Sequence, residues 1–237
     1  MKTIIVTQAF CKAEMLVNGF NNLYQYGSKT WDEHWVLLKH YPLDKENNHR
    51  RIREIAEGYK CKVFDCQGDI GLHEGLNYFF KHNPQPRGTR MIGWDPDSMV
   101  LPCVTKFDTA MNNVMTAMNV PIVALWNAGI ASHKQSPEFY SRIENHKVYI
   151  HPAVDMWNVA LYDMDWVEQI GGFKEPYAYY GGLESYLHSK MNGKKLVYLP
   201  EFMEDYPTLV SHDPRYIEYK SAHIGGFKGS FEEWLNK

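Results

Sequence analysis

No stretch of this chain of 237 residues approaches the roughly twenty consecutive apolar residues that a membrane-spanning helix requires. The amino terminus, Met1 to Phe10, holds only the short apolar run Thr3 to Val6 and no cleavage region, so a secretory signal is not expected. An excess of one charge is also missing. Lys and Arg number 25 against 28 Asp and Glu, and the net charge of −3 is too weak to draw the whole molecule to nucleic acid or anionic lipid. Cysteine is scarce. Cys11, Cys61, Cys66 and Cys103 form no CxxC pair and no zinc-type spacing, which reads as reduced thiols in a cytoplasmic protein. The chain lacks a GxSxG elbow, a P-loop and an HExxH helix, so hydrolase chemistry of those kinds finds no support.

What remains is the composition of a folded globule, 44% hydrophobic and 22% charged, with aromatic residues raised to 14%. The length fits one α/β domain, alone or with a small subdomain. Strand-like and helix-like segments alternate over the first hundred residues. Strands are expected at Lys2 to Thr7, Trp35 to His40, Cys61 to Asp65 and Arg90 to Trp94. Helices are expected at Ala13 to Tyr26, Asn47 to Tyr59 and Leu72 to His82, where apolar residues recur at helical spacing. This rhythm predicts a parallel sheet covered on both faces, with ligands at the carboxyl ends of its strands. The second half is looser. A helix is expected at Thr105 to Met118, a strand at Pro121 to Trp126, a helix at about Leu183 to Asn192, and a strand at Leu196 to Leu199 stopped by Pro200. Ala128 to Lys147 reads as a polar, irregular surface excursion.

The fourth strand runs directly into Asp95-Pro96-Asp97. Two carboxylates one residue apart at a strand end can share a cleft, and hard divalent cations such as Mn²⁺ or Mg²⁺ take oxygen ligands of that kind. From Asp69 to Asp97 the chain resembles the family-two GT-A glycosyltransferases, with Asp69, Gly71, Asn77, Asp95 and Asp97 on the family's positions. The resemblance implies a single GT-A domain over residues 1–237, Rossmann-like, with a mostly parallel sheet and flanking helices. Residues 1–102 would form its nucleotide-sugar half and 103–237 its acceptor half. It also implies that Asp95 and Asp97 meet the metal and the donor, that Asp65 faces a uracil, and that Thr7, Gln8 and Ala9 border the nucleotide. His73 stands near a position where the family often has a basic residue.

A second block, Asn158 to Pro200, resembles the family's acceptor side through Gly171-Gly172-Phe173, Gly181, Gly182, Glu184, Leu187, Gly193 and Pro200. The glycine pair Gly181-Gly182 lets backbone pass close to a ligand and open a helix. A carboxylate in that helix's first turn is kept ionised by the helix dipole. Glu184 sits there and is the candidate general base. The family motif has further acids where this chain has Leu183 and Tyr186, which leaves inverting and retaining outcomes open, as well as a non-catalytic binding relative. The resemblance gives His212 as the third metal ligand, with His188 as competitor. Tyr179 and Tyr180 are candidates for acceptor contact. The activity implied is metal-dependent transfer from a nucleotide-diphosphate sugar, a UDP-sugar by the Asp65 assignment, to a glycan, lipid-linked or other hydroxyl acceptor, with a modified DNA base as the second choice of acceptor. A nucleotidyltransferase is disfavoured because Gln8-Ala9-Phe10-Cys11-Lys12 lacks the glycines of a phosphate loop.

Overall fold

The β-branched run Thr3–Ala9 forms β1, and every other element of the first half is arranged around it. The structure is a computed structural model describing residues 1–10, 13–40, 47–66, 72–96, 98–102, 105–127, 138–151, 159–174, 183–191 and 196–204, with 218, 222, 233, 234 and 236. β2 (Glu33–Leu38) pairs parallel with β1, β3 (Lys62–Asp65) parallel with β2, and β4 (Arg90–Trp94) parallel with β1 on its other side. The helices between them are α1 (Ala13–Tyr26), α2 (Asn48–Gly58) and α3 (Leu72–His82). After β4 come α4 (Phe107–Met118), β5 (Ile122–Asn127), the hairpin β6 (Glu138–Ile143) and β7 (His146–His151), β8 (Val159–Asp163), α5 (Met164–Gln169), α6 (Leu183–Lys190) and β9 (Leu196–Glu204).

Among the described residues nine strands join one sheet in the order β3-β2-β1-β4-β8-β5-β9-β7-β6. Its first four strands are parallel. β8 runs antiparallel between β4 and β5, and β9 is parallel to β5, so β5 and β9 point the same way as β1 and β4. Alternation along β1 divides the core. Ile4 and Val6 face a layer containing Leu76 and Phe79 of α3, Val167 of α5 and Leu187 of α6. Ile5 and Ala9 face the opposite layer, with Leu23 of α1, Ile52 of α2 and Phe107 of α4. Each fully buried aliphatic or aromatic side chain stabilises the fold by roughly 1.5–3 kcal/mol. That suffices to hold an element as short as α6, which would not be helical alone. Cys61 and Cys66 are buried thiols, and burial pushes both up to about 11, which makes them inert. Among the described residues no helix is long and apolar enough to cross a membrane.

Two expectations are corrected. Residues 138–147, expected to be irregular, belong to the β6–β7 hairpin that closes one edge of the sheet. β6 is exposed or half-buried along its whole length, so it carries no apolar alternation to read, while Val148 and Ile150 of β7 are buried. Pro200 does not stop the last strand, which continues to Glu204. The β5–β9 register slips between Leu125 and Asn127, and at such an irregularity a residue without an N–H is tolerated.

Candidate active site at the carboxyl edge of the sheet

In the order β3-β2-β1-β4 the chain leaves β1 toward β2 and β3 and then returns to β1's other side. The crevice outside the carboxyl ends of β1 and β4 is therefore the topological switch point, where sheets of this kind bind ligands. Asp95 is the first residue beyond β4 and half-buried. Its turn is closed by Ser98 N donating to Asp95 O at 2.9 Å. α1 holds that turn from beneath at two points. A Cβ on Gly19 would lie 2.3 Å from Pro96 O, so only a glycine lets helix and turn come this close. Three residues on, the Asn22 side chain donates to Val100 O at 3.0 Å and accepts from Val100 N at 2.8 Å. The acidic turn is thus set by a helix 78 residues away in sequence at the Asn22–Val100 contact, a link that no local pattern contains.

Unmet polar atoms occur on both faces of the sheet near this edge. Gln8 Oε1 at the end of β1, Trp94 Nε1 at the end of β4 and Ser98 Oγ just past the turn are buried without a hydrogen-bond partner among the described residues. Such atoms normally find partners, and a polar ligand is one way they do. Oxygen donors from a carboxylate turn fit a hard divalent ion. Thr7 is committed differently: its hydroxyl lies 3.1 Å from Nε2 of the buried His34, inside the α1 layer. Ala9 is buried, and its carbonyl accepts from Lys39 N at 2.9 Å.

Sequence reasoning missed Lys39. It follows β2 directly and is 2% exposed, an unusual setting for an ammonium group. A Cβ on Gly75 of α3 would stand 2.9 Å from Lys39 Cε, 3.2 Å from its Nζ and 3.2 Å from Gln8 Oε1, so Gly75 makes room for the cation. Burial, with the Lys39 charge beside it, pushes His73 down to about 3. Lys39 is therefore a basic group built into this edge, and His73 near it is neutral. The one available signal was a lysine closing the apolar run Trp35 to Leu38 at the edge where ligands bind.

At the end of β3, Asp65 is ringed by cationic and imidazole groups. His40 Nε2 lies 2.9 Å from Oδ1, Arg53 Nη2 donates to Oδ2 at 3.1 Å, and His49 Nε2 stands 3.6 Å from Oδ2. Asn77 meets the acceptor-side block: its Nδ2 donates to Phe173 O at 2.5 Å and its Oδ1 accepts from Phe173 N at 3.0 Å. Gly172, at φ +86°, leaves room where a Cβ would come within 2.8 Å of Asn77 Oδ1. Two motifs ninety-six residues apart are thus one clamp.

α6 is tied to the same segment through Tyr186, whose hydroxyl donates to Ile170 O at 2.6 Å. Lys190 and Met191, at its far end, border a hollow of about 690 Å³ with Asn119, Val120, Pro121 and Asp163, at the amino ends of β5 and β4. α6 therefore runs from the carboxyl edge toward the amino edge, and Glu184 lies in the turn nearer the crevice. Nothing is described of the Glu184 or His188 side chains. Asp69, Gly71, Asp97, Tyr179, Tyr180, Gly181, Gly182 and His212 lie outside the described residues. A second hollow, of about 500 Å³, is lined by Asn77 and Phe173 near Met164 and also sits away from the acidic turn.

No protein-family model matches the chain, and no curated protein matches it in sequence. Solved structures do match. One is GalNAc-T7 with UDP, GalNAc and Mn²⁺, at a TM-score of 0.64 and 11% identity over 87% of this chain and 44% of that one. Another is the mannosyltransferase PcManGT from Pyrobaculum calidifontis with GDP-Man and Mn²⁺, at 0.62 and 16% over 95% of this chain and 62% of that one. A third is TarS 1-349 of S. aureus, at 0.55 and 14% over 86% and 59%. The chain spans less than two thirds of each of these neighbours. They are GT-A-type glycosyltransferases, and theirs is the fold of this chain.

Proposed function

We propose that this protein is a metal-dependent, family-two-like glycosyltransferase that takes a sugar from a nucleotide diphosphate, a UDP-sugar, and passes it to an acceptor hydroxyl. The observation that carries the reading is the switch-point crevice, at whose edge β4 runs into an acidic turn fixed by Gly19 and Asn22, with the unpartnered Trp94 Nε1 beneath α1 and the unpartnered Gln8 Oε1 beside Lys39 on the α3 face. The fold neighbours solved with UDP or GDP-Man and Mn²⁺ support it.

In this reading residues 1–102 bind the donor and 103–237 the acceptor. Asp95, Asp97 and His212 hold Mn²⁺ or Mg²⁺, which when bound offsets the charge of the departing diphosphate. Thr7, Gln8 and Ala9 border the nucleotide through backbone and the Gln8 amide, Asp65 meets the base, and Asp69 and Gly71 also serve the donor. Asn77 positions the Phe173 segment on which α6 rests. Gly181 and Gly182 admit the acceptor, and Glu184 takes the proton from its hydroxyl as that oxygen attacks the anomeric carbon, giving inversion. The bond formed joins the acceptor oxygen to the sugar; the bond broken joins the sugar to the diphosphate.

A binding module that no longer transfers sugar is the competing reading. It is favoured by Tyr186, which stands where the family has an acid and is committed to Ile170 O. One experiment separates the two. The full chain is offered a panel of UDP- and GDP-sugars with Mn²⁺, and release of nucleoside diphosphate is followed. Slow, metal-dependent hydrolysis of one donor is expected; binding of a donor without release from any of them would identify a binding module.

A further inference from the structure

We propose that His40, His49 and Asp65 form a second metal site, separate from the acidic turn, that takes a borderline transition ion such as Zn²⁺ or Co²⁺. His40 follows β2, His49 lies in the first turn of α2, and Asp65 ends β3, so three elements each contribute one ligand. The β2–β3 pairing sets Leu38 beside Asp65, which fixes two of the three backbones. One ligand atom from each residue lies within 4.8 Å of the others.

Ligands about 2.0–2.2 Å from a tetrahedral ion stand about 3.4 Å from one another. Asp65 Oδ1 is 2.9 Å from His40 Nε2, about 0.5 Å short of that value, and His49 Nε2 lies 3.6 Å from the other carboxylate oxygen, Oδ2. The two imidazole rings are close neighbours, tilted at 41° with centroids 4.0 Å apart, and the Nε2 of each faces the Asp65 carboxylate. Two imidazoles and one carboxylate suit Zn²⁺, Co²⁺ or Ni²⁺ and not Mg²⁺. Arg53 opposes the ion by its charge, yet its Nη2 donates to Oδ2, while His40 faces Oδ1. With Oδ1 on the metal, that bond becomes the outer contact that orients a ligating carboxylate. The side chains of His40, His49 and Asp65 are 47%, 28% and 33% exposed, so the fourth position is open to water or a ligand. β3 lies three strand positions from β4, about 14 Å, so this ion cannot be the one held at Asp95. Ion binding and contact with a base are alternative uses of one carboxylate.

The probe is the metal alone, so the test does not depend on transferase activity. The chelator-stripped full chain is titrated with Co²⁺ and the visible absorption of tetrahedral Co²⁺ is followed, then displaced with Zn²⁺. One tetrahedral Co²⁺ per chain is expected, with affinity at least about tenfold weaker in His40→Ala and in His49→Ala. Far-UV circular dichroism confirms that both variants are folded, and the exposure of His40 makes its replacement the milder of the two. Asp97→Ala should leave the signal unchanged. The proposal is overturned if wild type shows no tetrahedral Co²⁺, if folded His40→Ala and His49→Ala bind as tightly as wild type, or if Asp97→Ala abolishes the signal.

Discussion

Gly19→Ala would shift the acidic turn while leaving the fold in place. The new Cβ would sit 2.3 Å from Pro96 O, against ordinary contacts of 3.4 Å and above, an overlap of about 1 Å. The opposing atom is backbone, so either the Asp95–Pro96 turn or α1 must move by that amount. Overpacking of this kind costs about 1–3 kcal/mol. Alanine in mid-helix returns about 1 kcal/mol over glycine, so the net loss is about 0–2 kcal/mol. For a chain of this length that lowers Tm by at most about 8 °C. Activity should suffer more, because a displacement of about 1 Å at a reacting centre costs on the order of a hundredfold. The assay pairs thermal unfolding, with and without UDP and Mn²⁺, with the rate of diphosphate release. Gly58→Ala serves as control, since nothing lies within 4 Å of its Cβ. A Gly19→Ala protein of near-normal Tm with normal donor turnover would refute the claim that α1 positions the acidic turn.

Asn77→Ala removes both bonds to the Phe173 backbone and should cost about 1–3 kcal/mol, read as a lower urea midpoint. An unchanged midpoint would show that the clamp contributes nothing. Glu184→Gln should keep UDP binding in a thermal-shift assay and lose at least about a hundredfold in transfer, as expected of a group acting in the transition state. Normal transfer by that variant would place the base elsewhere. Acid should weaken the fold early. Burial pushes His34 down to about 3, and burial with the Lys39 charge does the same to His73, while both rings take up protons near pH 6.5 when unfolded. The unfolded chain therefore binds more protons as pH falls. Stability fully present above about pH 6.5 is lost progressively toward pH 3, by up to about 1.4 kcal/mol per pH unit for fully buried His34 and less for half-buried His73. A urea midpoint constant between pH 7 and 5 would contradict this.

The βα rhythm of the first half was legible because buried parallel strands and amphipathic helices leave strong periodic signals; β4 and α1 fall at their expected bounds. β6 was not, since an edge strand wet on both faces has no apolar period. Among candidate residues, the place of Asp95 beyond β4 followed from strand length alone. The contacts that fix it did not, because Gly19–Pro96 and Asn22–Val100 join segments nearly eighty residues apart. Asn77 was legible as a residue of interest, but its partner in the Phe173 segment was not. Lys39 was hidden by its place at the end of a strand, where a lysine looks like an ordinary polar stop. Only the packing of Gly75 against it shows a cation built into the edge.

A crystal structure of the chain grown with UDP and Mn²⁺ tests the central claim most directly. The account predicts anomalous density for manganese at Asp95 and Asp97, with the diphosphate beside it and the nucleoside along the ends of β1 and β3. A nucleotide bound elsewhere, or a crevice without manganese at saturating concentrations, would contradict it.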